Sequence, residues 1–254
     1  MVVVVPFTLI FADDVQTMRH VEYSIPPLDL RSVGMAWAAP RPGHRQPRPP
    51  REAVATEDQD AALLANADAL QRDADAVLVD LDLLGVLSGA GAVTRTGSSV
   101  HGLMVARDID LYVVRDVWTP ERCWQALAPV FFHDRMQSIR LSKWLGAYRD
   151  ASLPEGYSAV LRYRPGPGAA GQWRIDVWFF THPEADAKLH WHRRIRAELR
   201  LEVRLAILRV KAAVHAEPWY SSAEVYEAVL EYGVRNPQDF WRYRAQRRAA
   251  ASEG

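Results

Sequence analysis

The stretch Pro165-Gly-Pro-Gly-Ala-Ala-Gly171 constrains what this chain can fold into more than any other. Proline cannot donate to a strand ladder and glycine has no side chain to pack, so a strand cannot contain this stretch, whereas a hairpin loop can. On either side stand β-rich runs, Tyr157 to Arg164 and Gln172 to Phe180. The loop predicts that they form an antiparallel pair. Asp108 to Arg115 (DIDLYVVR) alternates well enough for a further strand, and Gly91 to Gly97 is a short β-branched run before it.

Helical spacing fills much of the rest. From Asp58 to Leu84, residues Leu63, Ala67, Leu70, Ala74, Val77 and Leu81 recur three or four apart, which predicts a helix stopped by Gly85. Thr119-Pro120-Glu121 places an N-capping hydroxyl before a first-position proline, starting a helix that should run to about Leu127, before Pro129. Pro183 to His215 reads as one helix with Leu199, Val203, Ala206 and Val210 on a stripe, and Ser222 to Tyr232 and Pro237 to Arg248 read as two more. The fold class expected is α+β, a mixed sheet flanked by helices and followed by a helical C-terminal domain.

Eight of the sixteen prolines lie in the first fifty residues, and Pro40 to Arg51 offers almost nothing to bury. Such a composition cannot offset its ordering entropy. The expected organisation is therefore a poorly ordered leader over residues 1–55, an α/β core over 56–182 and a helical domain over 183–254, with Met35 as an alternative start. Lys plus Arg equal Asp plus Glu at 31 each, so the chain as a whole has no net attraction for nucleic acid or anionic lipid. Cys123 is the only cysteine, which excludes an intrachain disulfide framework and a multi-cysteine zinc site. The apolar run Val2 to Ala12 has no preceding Lys or Arg and is followed by Asp13 and Asp14, which argues against a signal peptide. No apolar run is long enough to span a bilayer. A cytoplasmic protein with no membrane partner is expected.

The chemistry concentrates between Thr96 and Val114. Asp108 and Asp110 are two apart on a predicted strand, so both carboxylates point to one face while Ile109, Leu111 and Val113 point to the other. Adjacent like charges repel, and a divalent ion such as Mg²⁺, held by carboxylates and substrate phosphates, neutralises them best. Gly97-Ser98 at a strand end makes a tight turn whose N–H groups can approach a phosphate. Asp176, inside the apolar run Ile175 to Phe180, is the candidate third carboxylate, because burying it without a partner would be costly. That partner is either a second metal ion or Arg174 or Arg162. In the metal reading Asp108 and Asp110 bind the nucleotide's metal, and Asp176 helps hold the second and acts as general base on the acceptor hydroxyl.

GSSVHGLMVARDIDLYVV (97–114) resembles the signature of the DNA polymerase beta-type nucleotidyltransferases, in which a Gly-Ser pair precedes Asp-x-Asp on the next strand and a later strand brings a third acid. The match spans about Ala92 to Phe180, and the helical remainder is similar in layout to small bacterial antibiotic and minimal nucleotidyltransferases. The resemblance implies phosphate contacts from Gly97 and Ser98, metal ligation by Asp108, Asp110 and Asp176, Mg²⁺, an NTP substrate and a hydroxyl acceptor, which could be a small molecule, a protein or RNA. Arg107 departs from the small Ser common before the first Asp, and Leu103 to Ala106 is more apolar than the usual loop.

Lys211 emerges beside Ile207 and Leu208, where it could reach a triphosphate or snorkel. Arg193, Arg196, Arg200 and Arg204 suit either a phosphate-rich substrate or a solvated helix face balanced by Glu198 and Glu202. His190 and His192 cannot share a helix face and read as structural. Two alternatives to a transferase stand beside it: a non-catalytic nucleotide-binding or toxin–antitoxin module of the same fold, and an RNA-cleaving helical domain using Arg209 and His215.

Overall fold

A computed structural model describes residues 57–146, 154–166 and 171–252, all within one compact unit. Residues 1–55, the expected leader, lie wholly inside the segment 1–56, which is outside the described residues. In chain order the elements are α1 (Glu57–Asp80), α2 (Leu83–Ser88), β1 (Ala92–Thr96), α3 (Ser98–His101), β2 (Asp108–Val114), α4 (Pro120–Phe131), β3 (Met136–Trp144), β4 (Gly156–Tyr163), β5 (Trp173–Phe180), α5 (His182–Glu198), α6 (Leu201–Val214), α7 (Ser222–Leu230) and α8 (Pro237–Ser252). The strands form one mixed sheet in the order β1-β2-β5-β4-β3. β2 and β5 run parallel, and the other neighbours are antiparallel, including the β4–β5 hairpin that the Pro/Gly loop predicted.

Strand alternation divides the sheet into two unlike faces. Ile109, Leu111, Val113, Ala159, Leu161, Ile175, Val177 and Phe179 are all fully buried, packed with Leu83, Leu87 and Leu127 of the helices α2 and α4. Burying each such side chain is worth roughly 1.5–3 kcal/mol, and this face holds the sheet in place. A second apolar cluster joins Ala67 and Leu103 to Ile195, Ala206, Ile207, Val210, Val225, Val229 and Phe240, so α1 serves both clusters. The expected α+β arrangement, a mixed sheet flanked by helices with a helical region after it, is what the chain forms.

Three local expectations are corrected, and one strand was not expected. Gly85 does not stop the first helix. The break comes at Asp82, whose φ of 42° is left-handed, and Gly85 lies inside α2, where a Cβ would meet the Asp82 carboxylate at 2.5 Å. Pro129 does not end α4, which continues to Phe131 with Leu127 and Val130 buried. The proline falls in the last turns, where one lost N–H bond is offset by that burial. The helix expected over Pro183 to His215 is two helices, because Leu199 (ψ 96°) and Arg200 (ψ 167°) are extended. The turn aims α6 so that Ala206, Ile207, Leu208, Val210 and Val214 are all buried. Finally, β3 had no sequence expectation, although Ile139 and Leu141 alternate with Ser138, Arg140 and Ser142.

Candidate active site

The polar face of the sheet carries the site. The parallel register sets Asp108 beside Arg174 and Asp110 beside Asp176, so side chains at these four positions project to one side. Carboxylate oxygens of Asp108, Asp110 and Asp176 all lie within 4.8 Å of one another. Burial raises the pKa of Asp110, and the charges of Asp108 and Asp176 add to it; Asp108 is raised by burial and by Asp176. Three clustered carboxylates therefore lack enough positive charge. Asp108 Oδ1 is buried with no hydrogen-bond partner among the described residues, and the cation paired with it, Arg174 Nε, is 3.8 Å away. An orphaned, inward-facing carboxylate oxygen in an acidic cluster fits a divalent cation, which takes oxygen ligands and neutralises them.

Asp176 has a partner of its own. Arg174 Nε donates to both of its oxygens at 2.9 and 3.0 Å, and Nη2 lies 2.8 Å from Oδ2. Of the two possibilities the sequence left open for Asp176, the pairing with Arg174 is present, while its carboxylate also lies in the cluster that could hold a metal ion. Arg162 sits next to Arg174 in the sheet register and lowers the pKa of Asp108 through its charge.

Gly97 lies against the acidic cluster, and Ser98 follows it in the chain. Gly97 has φ 70°, and a Cβ there would fall 1.8 Å from Asp110 Oδ2, so only glycine brings this backbone against the carboxylate. Ser98 opens the short helix α3, which ends at Gly102 with φ 65°. The turn was expected, but the helical turn after it was not. Arg107, the departure from the family pattern, places its guanidinium beside Gly171.

Lys211 is 2 % exposed, so it neither snorkels nor lies open to solvent. Its Nζ donates to the Leu103 carbonyl at 2.8 Å and reaches Tyr226 Oη at 3.5 Å. Burial lowers its pKa to about 8, against the pull of Asp110 and Asp108. Its charge in turn lowers theirs. The buried ammonium thus ties α6 to the loop after α3 and supplies part of the positive field at the carboxylates.

Sequence reasoning missed two groups. Tyr220, hydrogen-bonded to Ser222 Oγ at 2.6 Å, has a pKa raised to about 12 by burial, with the charges of Asp108 and Asp110 adding to the rise. His192, read as structural, accepts the Gly97 N–H at 3.4 Å. Neither is legible from spacing, since Tyr220, in the connection before α7, and His192, on α5, both come from far along the chain. Arg209, of the RNA-cleaving alternative, is paired with Asp60, and exposed His215 bonds the Ala212 carbonyl of its own helix. Of the arginine stripe, Arg204 pairs with Asp68 and Arg194 beside it with Glu198 and Glu231. A cavity of about 350 Å³ lined by Asp80, Phe132, His133, Asp134 and Arg135 is separate from the acidic cluster, and its Asp80 is engaged by Tyr163 and Arg135. Among the described residues no helix is long and apolar enough to cross a membrane.

The solved structures similar to this chain include nucleotidyltransferases. One is the GLD-2/RNP-8 complex, at 13 % identity and a TM-score of 0.45, covering 68 % of this chain and 59 % of that one. Another is the Cid1 poly(U) polymerase bound to MgATP, at 17 % identity and a TM-score of 0.48, covering 69 % of this chain and 56 % of that one. The small alarmone synthetase 1 from Bacillus subtilis bound to pppGpp is similar at 11 % identity and a TM-score of 0.35, covering 69 % of this chain and 97 % of that one. The chain thus spans under three fifths of the length of the first two. No protein-family model matches the sequence, and no curated protein matches it significantly.

Proposed function

We propose that the chain is a metal-dependent nucleotidyltransferase that moves NMP from an NTP to a hydroxyl acceptor and releases pyrophosphate. The observation that carries this reading is the cluster of Asp108, Asp110 and Asp176 with its orphaned Asp108 oxygen, set against the Gly97 turn. Asp108, Asp110 and Asp176 would hold Mg²⁺, which when bound supplies Lewis-acid stabilisation of charge on the transferring phosphate. The chain's own residues do the rest. Gly97 and Ser98 offer backbone and hydroxyl donors to the β and γ phosphates, and Lys211 adds positive charge from behind the carboxylates. Such fixed donors act where charge develops and need no reorganisation during the reaction. Asp176 would accept the acceptor hydroxyl's proton once Arg174 yields one of its oxygens. The acceptor class, small molecule, protein or RNA, is decided by the test below, and the reading assigns the protein to the cytoplasm.

One observation favours a second reading, a nucleotide-binding module without turnover: Arg174 already gives Asp176 a positive partner. Each of the four α-labelled NTPs with Mg²⁺ and separate small-molecule, protein and RNA fractions, run beside the Asp108→Asn/Asp110→Asn double variant, separates the two. Label transferred by the wild type and lost by about a thousandfold or more in the variant supports the transferase. NTP binding with no transfer in any fraction supports the module.

A further inference from the structure

Two imidazoles that the proposed mechanism leaves unused stand beside the Gly97 turn. His192 on α5 accepts the Gly97 N–H at Nε2, and its Nδ1 lies 3.3 Å from His101 Nε2 on α3. The rings are stacked at 5.5 Å with 23° between their planes, and the Tyr112 ring meets His192 edge-on at 6.4 Å. Burial lowers the pKa of both, that of His101 to about 4 with His192 and Arg196 contributing, so both rings are neutral at neutral pH.

Neutral rings carry one proton each, and the hydrogen bonds say where. A backbone N–H can only donate, so His192 Nε2 is the bare nitrogen and the proton of His192 sits on Nδ1. That proton points to His101 Nε2, which is bare in turn, with the His101 proton on Nδ1. The donors run in one direction, from Gly97 to His192 to His101. Yet Gly97 is the residue held against Asp110, and its amide is one that the nucleotide reading gives to a phosphate.

We infer that His192 and His101 form a phosphate-recognition pair for the terminal phosphates of a nucleoside polyphosphate, reversing their hydrogen bonds when the phosphate arrives. A phosphate oxygen then takes the Gly97 N–H, His192 presents Nε2–H to the same phosphate, and His192 Nδ1 accepts from His101 Nε2–H. The proton on His192 Nδ1 passes to His101 Nε2, His101 Nδ1 releases its proton to water, and His192 Nε2 takes one from water. Each ring keeps one proton, so no net charge is created. His192 is the phosphate ligand and His101 positions it. This inference rests on the nucleotide reading above.

The test measures binding of Mg²⁺-tripolyphosphate, of each Mg²⁺-NTP and of each NMP to the full chain and to His192→Ala, His192→Gln and His101→Ala, with imidazole ¹⁵N shifts recorded on the wild type. Expected is a loss of about tenfold in affinity for tripolyphosphate and NTP in His192→Ala, because a hydrogen bond to a charged oxygen is among the stronger kinds. NMP affinity is unchanged, His192→Gln, which keeps an N–H donor, recovers most of the loss, and tripolyphosphate moves the His192 Nε2 resonance from the bare to the protonated position. Wild-type NTP binding that His192→Ala, still folded by circular dichroism, leaves within twofold overturns this inference alone, as does an Nε2 resonance that does not move. Absence of any NTP or tripolyphosphate binding by the wild type overturns the nucleotide reading and this inference with it.

Discussion

Arg174 grips both carboxylate oxygens of Asp176, with Nε at 2.9 and 3.0 Å and Nη2 at 2.8 Å from Oδ2, two residues along the same strand and directly beside Asp108. The guanidinium stands in for part of the charge that a cation would supply to the cluster. Under the proposed reading it competes with a metal ion for Asp176.

Replacing Arg174 by Gln should expose this competition. Without divalent ions the variant loses roughly 1 kcal/mol, small because the pair is partly solvated. With Mg²⁺ or Mn²⁺ it should bind the ion more tightly than the wild type. Thermal melts across an ion titration check both, and a variant melting like the wild type at every ion concentration contradicts the competition.

Asp110→Asn should stabilise the metal-free protein at neutral pH. The pKa of Asp110 is raised above its unfolded value of about 3.9, so the folded state holds its proton more tightly. That stability is present in acid and is lost as pH rises from the ordinary carboxylate range toward neutrality. Removing the charge avoids the loss, worth on the order of 1–3 kcal/mol, or several degrees in Tm. Melts at pH 5 and pH 7.5 should show a clearly larger gain at the higher pH, and added Mg²⁺ should stabilise the wild type and not the variant.

Gly97→Ala meets two penalties, a left-handed backbone at φ 70° and a Cβ placed 1.8 Å from Asp110 Oδ2. Strain of this kind costs about 1–3 kcal/mol, and its relief must displace the carboxylate. The expected result is a lower Tm together with weakened metal binding. Ser98→Ala, one residue on, should leave Tm nearly unchanged and serves as the control.

Lys211→Met removes the Nζ that satisfies the buried Leu103 carbonyl. An unpaired buried acceptor costs about 1–3 kcal/mol. Loss of the positive charge also raises the pKa of Asp108 and Asp110 further, since Lys211 lowers both. The acid limb of any Mg²⁺-binding profile should therefore move to higher pH in the variant, a shift that a purely structural lysine would not produce.

The sequence by itself determined the elements whose signals are local. The hairpin of β4 and β5 followed from a Pro/Gly loop that no strand can contain, β2 from its alternation, and the pairing of Asp108 with Asp110 on one face from a period of two. Gly97 was legible as a turn because glycine is needed where the backbone is left-handed. Tertiary structure decided the rest. The break between α5 and α6 arises because Leu199 and Arg200 turn the chain so that α6 can bury its apolar residues, a choice that local helix propensity cannot register. The parallel register of β2 and β5 alone brings Asp176 beside Asp110 and Arg174 beside Asp108. Long-range packing likewise sets Lys211 beneath the Leu103 carbonyl and His192 against Gly97, 95 residues away in the chain. Periodicity reports which face a residue occupies, but which faces meet is settled only when the sheet and helices bury their apolar sides together.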